Sequence, residues 1–179
     1  MKRTIVTMTV AAAILSVGVL AQAPAANPLT GSVRKTWEGA KLNIVESAQQ
    51  MPEANYGFKP IATVRSFGEI LAHTAGSNYV FCSAAKGEKS PHAEGDFEKT
   101  ATTRAEIMKA VNDSLAYCDG VINSMNDKKL AESVDMPFNM GKATRAEAII
   151  DNVGHLNEHY GNLVTYFRLK GMVPPSSKR

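Results

Sequence analysis

Cysteine, histidine and unbalanced charge are all scarce in this chain, and each scarcity removes a class of function. Only Cys82 and Cys118 are present, with no C-x-x-C spacing and no histidine close to either, which argues against a thiolate metal site. Twenty Lys and Arg stand against seventeen Asp and Glu, and the two basic residues Lys2 and Arg3 sit at the extreme N-terminus. That near-neutral balance lacks the concentrated basic face that nucleic acid requires. Almost no stretch alternates with period two, which argues against a sheet and for an all-α fold. Beyond residue 20 no run is apolar enough to cross a bilayer.

The one long apolar run lies at the start. In "MKRTIVTMTVAAAILSVGVLAQAPAANP", Lys2 and Arg3 precede a short apolar core from Ile5 to Leu20, followed by Ala21-Gln22-Ala23. This is the three-part layout of a secretory signal peptide over residues 1–23, with a retained N-terminal anchor as the alternative. Cleavage after Ala23 leaves eighteen cationic against seventeen acidic side chains, a balance of +1, and one domain over 24–179. A secreted or periplasmic protein with no membrane span after cleavage is the expectation. Export admits a disulfide between the two cysteines, and the competing reading is two small buried residues.

What the chain has in quantity is helical periodicity. Val33, Trp37, Ala40, Ile44, Val45 and Ala48 recur at three- and four-residue steps, giving a first helix from Leu29 to Gln50 that Pro52 stops. Tyr56 and Phe58 in "PEANYGFKP" are expected to cover one end of the core. "SFGE" forms a capping box at Ser66 and Glu69 that opens a second helix, whose face runs through Phe67, Ile70, Leu71, Thr74, Asn78, Phe81 and Cys82 to Gly87. "KGEKSPHAEGDFEK" reads as a polar loop, long enough to span the bundle and make helices two and three parallel. "TRAE" opens the third helix at Thr103 and again the fourth at Thr144, which runs to Gly171 and the prolines of "GMVPP". Between them lies a turn with one short helical segment around Lys128 to Glu132.

Chemistry enters through four histidines. His92 follows a proline in the polar loop and reads as solvated. His155 and His159, in "HLNEH", stand one helical turn apart, about 40° around the axis, where two imidazoles can share a metal or simply face solvent. The same letters match the H-x-x-E-H signature of a zinc protease, but no Asp or Glu follows His159 to complete such a site. His73 lies at the edge of the buried face of the second helix, and facing helices of a bundle are where metal sites are built. Three neutral imidazoles leave positions open for water or substrate. Glu158 shares the helical surface of the pair and is a candidate general base, weighed against a solvent-facing carboxylate. Asn78, Asn152, Tyr160 and Asn162 are candidates for the pocket mouth.

His73 in "FGEILAHTAGSNYVFC", together with "GHLNEHYGNLVTYFRLKGMVPP", resembles the DinB-like family of metal-binding four-helix bundles. The resemblance runs from Trp37 through both cysteines to the final prolines. It implies an up-down-down-up bundle with a long crossover between helices two and three, and a ligand triad of His73, His155 and His159. It also implies that parallel second and third helices bring Cys82 and Cys118 to the same end, within reach of a disulfide. The secretory leader departs from better-understood relatives, which act in the cytosol. The resemblance implies a divalent metal, zinc first, with nickel or iron also suited to imidazole. Some family members resemble thiol transferases or isomerases and others are labelled metal-dependent hydrolases. A small-molecule substrate of unknown identity is therefore expected, with a non-catalytic metal- or ligand-binding bundle, dimeric through a helix face, as the alternative.

Overall fold

The structure is a computed structural model that describes residues 26–179; the expected signal segment lies outside them. Helix α1 spans Pro28–Gln50 and buries Trp37, Ala40, Ile44 and Ala48. Proline suits its first turn, where the backbone N–H has no helical partner. The free N–H of Thr30 is met instead by the Asp127 carboxylate at 2.8 Å. After α1, a 3-10 turn at Glu53–Asn55 leads to Tyr56, whose hydroxyl donates to the Ala48 carbonyl, and Tyr56 and Phe58 close that end of the core as expected.

Helix α2 (Phe67–Lys86) begins with the complete Ser66/Glu69 capping box and ends on Gly87 in the left-handed region at φ +80°. It is the most deeply buried helix, consistent with its place between two neighbours. A short α3 (Asp96–Thr100) interrupts the segment that the sequence presents as pure loop. Helix α4 (Arg104–Asn123) opens on the Thr103/Glu106 capping box. Helix α5 (Asp127–Leu130) matches the short segment expected in the next turn. Strands β1 (Ser133–Asp135) and β2 (Lys142–Thr144) then pair antiparallel, an element that period-two reading does not reveal because three residues are too few to show alternation. Helix α6 (Arg145–Leu169) is capped by the Thr144 hydroxyl, which accepts from the Glu147 N–H.

Contacts between helices set their directions. Asn78 meets Ser114, and Cys82 is disulfide-bonded to Cys118 across a Cα–Cα distance of 5.4 Å. Positions therefore advance together along α2 and α4, which are parallel. Asn78 meets Asn152 while Phe67 meets Phe167, so α2 and α6 are antiparallel. Trp37 donates to Asp119 at 2.7 Å and Arg104 reaches the carbonyl of Gln49, making α1 and α4 antiparallel as well. The result is the up-down-down-up four-helix bundle, with the long α2–α4 crossover passing through α3.

Candidate metal centre

The α2–α6 interface carries the functional candidates. Helix α2 delivers His73 from the edge of its apolar stripe, one turn after Ile70, while α6 delivers His155 and His159 one turn apart. His73 and His159 are buried, at 5% and 7% exposure, and His155 is half-buried. Their inner nitrogens converge: His155 Nε2 lies 3.2 Å from His73 Nε2 and 3.0 Å from His159 Nε2. One ligand atom from each of the three residues falls within 4.8 Å of the other two.

The arrangement fits a cation better than it fits hydrogen bonding. The Glu98 carboxylate lies 2.8 Å from His73 Nδ1, which assigns the proton to that outer nitrogen and leaves a lone pair on Nε2. His155 Nε2 then faces two other inner nitrogens, and a single N–H on it can serve only one of them. A divalent metal ion would be held by the lone pairs of His73, His155 and His159, and imidazole is a common ligand for zinc, nickel and iron. Burial, together with the neighbouring His155 and His73, pushes the His159 imidazole down to about 3. Burial first and then His73 also lower that of His155. Both are neutral at pH 7, the form that binds metal.

The carboxylate that orients His73 carries no motif in the sequence. Glu98 belongs to α3, inside the segment read as loop, and its second oxygen accepts from Arg65 Nε at 2.8 Å. Glu94, from the same segment, places Oε1 3.8 Å from His73 Nε2 and accepts from Ser77 Oγ at 3.0 Å. No periodicity flags either residue, because a carboxylate in a polar connector looks like any solvated one. The acidic content of "HAEGDFEK" is the only signal the sequence offers. His92, expected in solvent, is half-buried, with its ring 4.7 Å from that of Tyr79 and 4.8 Å from that of Phe97. Proximity to Phe97 on α3 explains it, since the aromatic cluster holds the segment against α2.

Beside the triad opens a cavity of about 840 Å³ whose wall includes Arg65, Glu98, Glu158, His159, Asn162 and Tyr166. Glu158 is exposed at this wall, and Asn162 lies there too, as expected of a mouth residue. Asn78 and Asn152 do not reach the mouth: both are fully buried and hydrogen-bond to each other at 3.1 Å. Tyr160 is also turned away, its hydroxyl paired with Ser176 near the C-terminus.

The sequence model of the DinB superfamily matches residues 37–163. This chain belongs to the DinB superfamily. It is 22% identical over 127 residues to the uncharacterized protein YjoA of Bacillus subtilis (strain 168), covering 70% of this chain and 80% of that one. Among solved structures it resembles a DinB-like protein from Bacillus cereus ATCC 10987, with a TM-score of 0.68 at 14% identity, over 81% of this chain and 95% of the other. It also resembles a mycothiol-dependent maleylpyruvate isomerase, with a TM-score of 0.63 at 13% identity, over 75% of this chain. The match spans 60% of the length of that isomerase. At such identities these likenesses establish a shared fold.

Proposed function

We propose that this DinB superfamily chain is an exported metalloprotein that holds a divalent ion between His73, His155 and His159 and acts on a small molecule. The observation that carries the reading is the convergence of three inner imidazole nitrogens beside an open cavity. A divalent ion there supplies Lewis acidity and lowers the pKa of a protic group bound to it. The chain's own residues supply the rest: Glu98 fixes the tautomer of His73, burial keeps His155 and His159 neutral, and the cavity admits substrate. Zinc is the first expectation, with nickel or iron also compatible with the donor set.

Hydrolysis is the reaction class we favour. A thiol-transfer reaction like that named for the mycothiol-dependent relative needs a low-molecular-weight thiol, which an exported protein meets less readily. Export is supported by the basic and apolar leader and by the Cys82–Cys118 disulfide, since such bonds persist outside the cytosol. Elemental analysis of protein purified without added metal tests the reading, with His73→Ala alongside. Near-stoichiometric metal that drops sharply in the variant is the expected result, and equal metal content in both would refute the triad. A holo protein inert toward ester, phosphoester and thiol-transfer substrates would favour a non-catalytic binding bundle.

A further inference from the structure

Three carboxylates surround the triad, and their positions differ in kind. Glu98 meets the outer nitrogen of His73, the one that faces away from the convergence point. Glu158 is exposed on the cavity wall. Glu94 alone, among the described residues, brings a carboxylate oxygen within 4 Å of an inner nitrogen, at 3.8 Å from His73 Nε2.

The placement of Glu94 is built. A Cβ added at Gly76 would fall 1.9 Å from the Glu94 carbonyl oxygen, so the absence of a side chain there lets the connector backbone lie directly on α2. One residue on, the buried Ser77 hydroxyl donates to Glu94 Oε1 at 3.0 Å. Phe97 and His92 pack on Tyr79 and hold the same stretch from the other side. Helix α2 thus delivers both His73 and the seat for the carboxylate that faces it.

We propose that Glu94 contacts the further ligand that a metal held by the three histidines would take beside His73, and that it selects for protic neutral ligands over anions. An ionised carboxylate is a hydrogen-bond acceptor only, so water, an alcohol or a thiol is favoured beside it, and an anion is opposed by its charge. The selection rests on the metal-centre reading above and narrows it to reactions in which the group held at the centre is protic, with water the first such ligand under the hydrolytic reading.

The test uses the cobalt(II)-loaded full-length protein titrated with thiocyanate, followed by the visible absorption of the cobalt. Glu94→Gln should bind thiocyanate roughly tenfold or more tightly than wild type while retaining cobalt. Ser77→Ala, which frees the carboxylate from its seat, should shift affinity in the same direction by less. Equal thiocyanate affinity in wild type and Glu94→Gln overturns the proposal. Loss of cobalt from Glu94→Gln also overturns it, because Glu94 would then be a ligand itself. Wild-type protein that takes up no cobalt refutes instead the metal centre on which the proposal stands.

Discussion

Two polar clusters are buried along the same α2–α6 interface, little more than one helical turn apart, and they are resolved in opposite ways. Around Asn78 the groups answer one another: Asn78 Nδ2 donates to Ser114 at 3.0 Å and Asn152 Nδ2 donates to Asn78 Oδ1 at 3.1 Å, beside the Cys82–Cys118 bond. Only Asn152 Oδ1 is left over. Around His73 the inner nitrogens aim at one point and have too few protons to share. Buried polar groups are tolerated when they are paired, so the closed cluster can serve as a brace with no outside help. The open cluster reads as a receptor for a cation.

The brace should dominate stability and the receptor should dominate metal binding. Breaking the disulfide by a Cys82→Ser/Cys118→Ser double substitution releases a closed loop with a sequence separation of 36. Loop-closure entropy then predicts a loss of about 4 kcal/mol, read from denaturant midpoints. Metal affinity of the folded fraction should remain close to wild type. His73→Ala should do the reverse, losing metal while metal-free stability changes little. If the two substitutions moved both properties equally, the division between brace and receptor would be wrong.

Glu98→Gln sharpens the contrast from inside the receptor. The amide keeps the size of the carboxylate and a hydrogen bond to His73 Nδ1, but loses the charge that makes the imidazole a better ligand. Metal affinity measured by chelator competition should fall roughly 10–100-fold, the usual cost of losing such a partner. Thermal stability of the metal-free protein should move little, because Glu98 is also shared with exposed Arg65. An unchanged metal affinity would remove Glu98 from the centre.

How far the sequence reached depended on the range of each interaction. The caps at Ser66, Thr103 and Thr144 were readable because donor and acceptor lie three residues apart on a helix start. The His155–His159 pair was readable for the same reason, one turn apart on a clear stripe, and His73 followed from the edge of another stripe. Glu98 pairs with a histidine 25 positions away, and Asp127 caps α1 across 97 positions. Neither leaves a periodic mark. Asn78 and Asn152 are candidates for the mouth on sequence, whereas in the fold they satisfy each other in the interior, a pairing across 74 positions that leaves no periodic mark either.

Acidification offers the mildest way to separate the two clusters, because only one of them titrates. In the folded, metal-free protein His159 is held down to about 3, whereas in the unfolded chain it returns to about 6.5. Between those values the unfolded state binds the extra proton, so stability rises with pH across the window. The contribution is fully present above pH 6.5 and is lost as pH falls toward 3. Its slope is about 1 kcal/mol per pH unit for one such histidine, and His155 adds in the same direction. Denaturant midpoints of the metal-free protein from pH 7 to pH 4 should therefore fall faster for wild type than for His159→Leu, which carries every other titrating group unchanged. Asn78 and Asn152 bind no proton in this range, so Asn152→Leu should shift the midpoints by a constant amount and leave the slope alone. Parallel wild-type and His159→Leu curves would mean that His159 is not held neutral by its burial.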